Sequence, residues 1–333
     1  MSRLTESFTF TDAPALPALL EVVRQRSGLG MKQDIRRVSA QLPDLPADWH
    51  PNGDDTAAIP LAANSGRGYQ LLAIEGMQGE LVERDPWFAG WCGVMVNCSD
   101  IAAMGGRPTA VVNATWSSAE PGVVEEVIRG MRAAALHLGV HIVGGHTNVR
   151  AAHANLAVAI VGHANRLLSS FAARPGQILV AAIDQRGSFR GNSLNWNAAT
   201  SAPAERLQGD LALLADIADA GLAVAAKDIS QAGLLGTCTM LLESARCGAV
   251  IDLASIPKPA SVCWQDWLCA FPSYGYVLTT TADQLAELLA CFHRRDIAAA
   301  AIGRLTEGGQ LMVDFNQQHD IFYDLTQQPL TGF

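Results

Sequence analysis

At 333 residues the chain has room for two domains, each with a core of its own. Hydrophobic residues make up 49% and charged residues 17%, the balance of a compact α/β protein. A formal net charge of −9 without any basic cluster removes the main driving force for binding nucleic acid through its phosphates, so no nucleic-acid partner is expected. The opening MSRLTESFTFTD lacks an apolar stretch of signal-peptide length, and no later run reaches membrane-spanning length. A cytoplasmic protein with no membrane partner is the expectation. The seven cysteines include no CxxC pair, which points to buried free thiols rather than to disulfides or a zinc site.

Residues 14–26 carry the apolar spacing of a short amphipathic helix. The SGLGMK stretch that follows sets Gly28 and Gly30 ahead of Lys32, which allows close approach to an anion and supplies a countercharge; a flexible surface turn is the rival reading. Pro-rich residues 42–51 lead into NGDDTAAIP, where the adjacent carboxylates Asp54 and Asp55 suit a hard cation such as Mg²⁺ or a plain Asx turn. After a Gly-rich loop, residues 69–74 read as a buried strand ending at Glu75, a strand-end position that suits a ligand contact or a solvated loop.

The segment 85–108 is the most distinctive. Asp85 and Pro86 start a helix and Gly105-Gly106 with Pro108 stop it, and between them the residues are apolar almost all round, so this helix is expected to be buried. Asn97 and Asp100 lie inside it on one face, with no Lys or Arg at helical reach of Asp100. A carboxylate so placed must be hydrogen-bonded, bound to a cation, or capping a neighbouring loop.

A strand over 109–116, a helix over 123–138 and a short buried strand over 141–143 come next. Gly144, Gly145, His146 and Thr147 follow as a turn able to bring N–H and hydroxyl donors to phosphate, although a structural histidine is the commoner role for His146. After a strand over 156–161, the stretch 172–176 reads as the boundary between domains, and an apolar strand over 177–183 begins the second. The polar loop 186–197 gathers Arg186, Arg190 and Asn192, which could grip an anionic acceptor or be mobile and without function. Beyond a helix over 207–220, Asp228 in AAKDISQAGLLG is another strand-end carboxylate. Helices over 234–247 and 282–294 and strands over 250–253, 274–281 and 298–304 complete the pattern.

GDDTAAIP, DPWFAGWCGVMVNCSDIAAMGGRP, GGHT and KDISQAGLLG, in this order, resemble the superfamily of aminoimidazole ribonucleotide synthetase. That superfamily also holds selenophosphate synthetase, thiamine-monophosphate kinase, a hydrogenase maturation factor and formylglycinamidine synthetase. The likeness runs from Gly28 to Arg304, and SD-x-x-AMGG-x-P is its most specific element. It implies a two-domain α/β (α+β) fold, with residues 1–171 binding ATP and Mg²⁺ and forming a homodimer through their sheet, and 172–333 as the C-terminal domain. It also implies Asp54, Asp55, Asp100 and Asp228 as metal ligands, with Glu75 where the family usually has Asp. Asn97, Gly144, Gly145, His146 and Thr147 become the expected cofactor contacts, and Lys32 and Asp55 the expected catalytic residues.

GGHT with SGLGMK is closer to selenophosphate synthetase than to the kinase, whose turn carries Asp where His146 stands. No reactive cysteine lies near Leu29, however, and Gln231 replaces the Asp of the kinase's DxSDG element. The expected function is ATP- and Mg²⁺-dependent phosphotransfer or synthesis on an unidentified small metabolite, with Arg186, Arg190 and Asn192 as the acceptor contacts. The alternatives are a catalytically reduced nucleotide-binding or regulatory protein, or a thiamine-monophosphate kinase-like or selenophosphate synthetase-like activity.

Overall fold

A computed structural model of the chain describes residues 15–26, 28–61, 68–118 and 122–333. The opening MSRLTESFTFTD, Ser27 of SGLGMK and most of the Gly-rich loop before Tyr69 lie outside the described residues. The apolar segment after Asp85 forms the helix Pro86–Ala103, of which only Pro86, Trp87 and Ser99 are not fully buried. Asp85 caps it by accepting a hydrogen bond from the Phe88 N–H at 3.2 Å, and Pro86 occupies the first turn, where its missing N–H costs nothing.

This central helix packs on one face of a five-stranded sheet. Its strands are β1 (Ala57–Pro60), β2 (Tyr69–Met77), β3 (Arg107–Trp116), β4 (His141–Asn148) and β5 (Asn155–Ala164), in the order β1-β2-β5-β3-β4. Only β3 and β4 pair in parallel. The helix Val123–Leu138 crosses the central helix where Gly90 and Gly130 bring the two backbones together; a side chain at either would strike the other helix's carbonyl oxygen.

The second domain is built on a seven-stranded sheet, continuing with β6 (Ile178–Ile183), β9 (Ala225–Asp228), β10 (Gly248–Asp252), β12 (Gly275–Thr280), β13 (Ala298–Thr306), β14 (Gln310–Phe315) and β15 (Gln318–Asp324). The order is β15-β14-β10-β13-β6-β12-β9, and a small third sheet holds β7 (Ser188–Phe189), β8 (Asn195–Asn197) and β11 (Phe271–Pro272). Both faces of β6 are covered, which is why ILVAAI reads as an unbroken apolar run. Val180 and Ala182 join a core continuous with that of the first domain, whereas Leu179, Ala181 and Ile183 face a separate core under the helix Gly233–Ala245. The shared core joins the two domains beside the cleft between them.

Several expectations are corrected. The helix Leu16–Arg26 packs by Leu16, Leu19, Leu20 and Val23 into the second core, so this helix sits with the other domain. β2 is half-buried, with Leu72 44% and Ile74 69% exposed, and it runs past Glu75 to Met77. β4 does not stop at Val143. It continues through Gly144, Gly145, His146 and Thr147 as an edge strand exposed along its whole length, because β3 supplies a hydrogen-bonding partner that holds the glycines extended. Among the described residues no helix is long and apolar enough to cross a membrane.

Candidate active site between the two domains

The carboxylates next to Gly53 differ sharply in what surrounds them. Gly53 has a φ of +127° and is pressed between Phe171 and Phe333, so neither the backbone nor the space admits a side chain there. Asp54 turns into the protein. One oxygen accepts from the Ser170 N–H at 2.9 Å, and the other accepts from the Ser169 hydroxyl at 2.6 Å and lies 2.9 Å from His50 Nε2. Burial pushes its pKa up, but the His50 contact, the Lys227 charge and the two serines outweigh that and hold it below the usual carboxylate range. Hydrogen-bonded at both oxygens and with its side chain wholly buried, Asp54 anchors the turn.

Asp55 points the other way, across to the second domain. It pairs with the Lys227 ammonium and accepts from the Asp228 N–H at 3.1 Å, tying the turn to the end of β9. Lys227 is only 4% exposed. Burial alone would discharge it, yet Asp55 and Asp54 reverse that and raise its pKa, so it stays an ammonium.

The resulting cleft has a volume of about 1150 Å³. Asp55, Glu75 and Asp100 enter it from the first domain, and Lys227, Asp228 and Gln231 from the second. Lys32 comes from the short helix Leu29–Gln33, and Thr331 and Phe333 from the far end of the sequence. The negative charge here is poorly compensated. Burial and then repulsion from Asp228, Glu75 and Asp55 push Asp100 well above the ordinary carboxyl range, and its Oδ2 has no hydrogen-bond partner among the described residues. Asp228 is pushed up to about 8 by burial and by Asp55, against the pull of Lys227 and Lys32. Glu75, although its side chain is open at the cleft mouth, is raised by desolvation between the walls and by Asp55, with Lys32 opposing. Cys92 also lines the cleft, but burial pushes its thiol up to about 12, which removes it as a nucleophile near neutral pH.

Other expected site residues lie elsewhere. Asn97 is fully buried and donates to the carbonyls of Gly93 at 2.7 Å and Val158 at 3.0 Å, clamping the helix to β5 instead of facing the cleft. Gly144, Gly145, His146 and Thr147 are on the exposed edge strand, away from the cleft of their own chain. Arg186 is held by Asp184 through Nε at 2.8 Å and Nη2 at 3.2 Å, beside Asp210 at 3.4 Å. Arg190 grips Asp85 at 2.9 and 2.7 Å and covers the Phe88 ring 4.1 Å from its centroid. Both guanidiniums are spent on structure, and Asn192 is exposed outside the cleft, whereas Ser193 and Asn195 of the same segment line it.

Models of two domains match the chain: the AIR synthase related protein N-terminal domain over residues 53–164 and its C-terminal domain over residues 178–315. The chain belongs to the AIR synthase related family. Protein sll0787 of Synechocystis sp., itself uncharacterized, is 42% identical over 322 residues, 96% of this chain and 98% of its own length. Selenide, water dikinase of Geobacter metallireducens is 26% identical over 299 residues, 83% of this chain and 82% of the relative. Among solved structures, Thermotoga maritima PurL complexed with ADP shares the fold, with a TM-score of 0.71 at 19% identity over 95% of this chain and 51% of that one.

In this AIR synthase related chain, sequence reasoning missed Lys227, the buried cation that joins the two domains. The signal was present: a lysine between AA and Asp228 in an apolar strand needs an anion, and Asp55 was already a candidate. The donor set fits a divalent cation, because hard carboxylate oxygens from both domains line one cleft and one of them, Asp100 Oδ2, is buried without a partner among the described residues. Among the described residues no three His, Cys, Asp or Glu side chains are gathered closely enough to hold an ion alone. Phosphate oxygens and water would supply the remaining ligands, the usual arrangement for Mg²⁺.

Proposed function

We propose that the protein is an ATP- and Mg²⁺-dependent phosphotransferase or synthetase acting on a small metabolite in the cleft between its domains. The observation that carries this reading is the set Asp55, Glu75, Asp100 and Asp228, drawn from both domains and raised in pKa by burial and by repulsion from neighbouring carboxylates. A fold tolerates such a cluster when something positively charged is to bind there. Mg²⁺, when bound, would supply the positive charge that offsets the charge of a transferred phosphoryl group. Asp55, Asp100 and Asp228 with Glu75 are the residues that would hold it. Lys227 keeps Asp55 turned toward the second domain, and Asp54 holds the turn that carries Asp55. Lys32 sets a cation within electrostatic reach of Glu75 and Asp228, where it can meet phosphate oxygens.

The dikinase name of one relative and the ADP in the PurL structure support a nucleotide ligand. The test is thermal stabilisation by ATP with Mg²⁺, followed by the same assay with small metabolites added, since a ligand of the folded state raises its apparent stability. A shift that requires both ATP and Mg²⁺ is expected, and its absence would overturn the reading.

The reading includes a homodimer. The outer face of the first sheet exposes Leu72, Ile74, Val112 and Val161, and β4 leaves an unpaired edge. An apolar sheet face beside an open edge invites a second copy. In such a dimer the exposed Gly144, Gly145, His146 and Thr147 would act at the shared interface, outside the cleft of their own chain.

A further inference from the structure

Glu243 lies in the apolar helix Gly233–Ala245 and is 9% exposed. A carboxylate there needs partners, and a single stretch of chain provides them. One oxygen accepts from the N–H groups of Leu330 at 2.8 Å and Gly332 at 3.1 Å; the other accepts from the Thr331 N–H at 2.7 Å and from its hydroxyl. The Ser39 hydroxyl donates to the Thr331 carbonyl at 2.9 Å, and Gly332, at a φ of +80°, turns the chain back toward the cleft.

Phe333 is thereby laid on Gly53. A Cβ at Gly53 would sit 2.7 Å from Phe333 Cβ and 3.2 Å from Phe171 Cζ. Phe171 in turn meets the His50 ring edge-on at 5.7 Å, and His50 contacts Asp54. The turn bearing Asp54 and Asp55 is therefore gripped from both sides, by the junction between the domains and by the end of the sequence.

We propose that residues 330–333 are a positioning element of the active site, seated by Glu243 and acting through Phe333 to hold the turn at residues 53–55. Phe333 fixes where Asp55 meets Lys227 and Asp228, and so the spacing of the carboxylates drawn from the two domains. A tail that only filled a surface groove would have no such effect.

The Ser170 and Asp228 amides donate to Asp54 and Asp55, so their hydrogen exchange reads the seating of the turn without nucleotide. In Phe333→Ala we expect both to exchange about tenfold faster while the Val180 amide in β6 is unchanged, as for a local opening. Phe333→Leu, which keeps apolar bulk, restores the slow rates. Unchanged exchange at Ser170 and Asp228 in Phe333→Ala would overturn the proposal. A second arm rests on the nucleotide reading above: the Kd for ATP with Mg²⁺ should rise about tenfold in Phe333→Ala and recover in Phe333→Leu. Faster exchange in a protein that binds no nucleotide would remove that reading and leave the role of the tail standing.

Discussion

Asp100 has a buried oxygen without a partner among the described residues and three other carboxylates repelling it, so in the metal-free protein its charge is a cost. Asp100→Asn keeps the shape and removes the charge. We expect its metal-free melting temperature at pH 8 to rise by roughly 2 °C while Mg²⁺-dependent nucleotide binding weakens by about tenfold or more. A carboxylate kept only for packing would show neither effect. Asp228 gives the pH dependence. Its pKa rises from 3.8 to about 8 on folding, so the stability this brings is fully present below the unfolded value and is lost as pH rises through about 8. Melting of the metal-free protein should therefore fall between about pH 4 and 8 and level off above that. Mg²⁺, which binds the ionised form, should stabilise increasingly over the same range; a Mg²⁺ effect that shrinks with pH would count against the assignment. Asp100 and Asp228 were legible in the sequence because each is an acid in an apolar setting, and Asp55 because it adjoins a second acid after a glycine. The anchoring of Asp54 and the pairing of Lys227 were not, since their partners lie 115 and 172 residues away.

At the scale of elements, the segment 186–197 is braced where a substrate loop was expected. Asp184 and Asp210 are 2% exposed each, and Arg186, Arg206 and Arg295 are the cations that neutralise them. Arg186→Ala should lower stability by about 2 kcal/mol, because it leaves buried charge less compensated, and should leave nucleotide affinity unchanged; urea denaturation beside a binding titration checks both. Loss of nucleotide affinity in the folded variant would return Arg186 to the site. The helices Pro86–Ala103 and Val123–Leu138 were readable because their apolar spacing, caps and stop signals agree. The hairpin of β14 and β15 was not. Its two-residue turn, Asn316 and Gln317, takes φ values of 49° and 63° without a glycine, so the usual signature is missing. β4 misled for a different reason: two adjacent glycines read locally as a turn, and only pairing with β3 makes them a strand.

At the scale of the molecule, the two-domain fold followed from the motifs, while the path of the first helix into the second core did not, since apolar spacing says which face is buried and not against what. If the exposed sheet face is a dimer interface, Leu72→Glu with Ile74→Glu should convert a dimer to a monomer by light scattering with little loss of melting temperature, as both side chains are exposed within one chain. A monomeric wild-type protein would contradict the homodimer. The central claim is that carboxylates from both domains bind a metal-bound nucleotide between them. Isothermal titration of the whole chain with ATP, with and without Mg²⁺, tests it most directly. Binding that requires Mg²⁺ and weakens by about tenfold or more in both Asp100→Asn and Asp228→Asn is the expected result. No binding, or binding indifferent to Mg²⁺ and to both substitutions in folded protein, would contradict it.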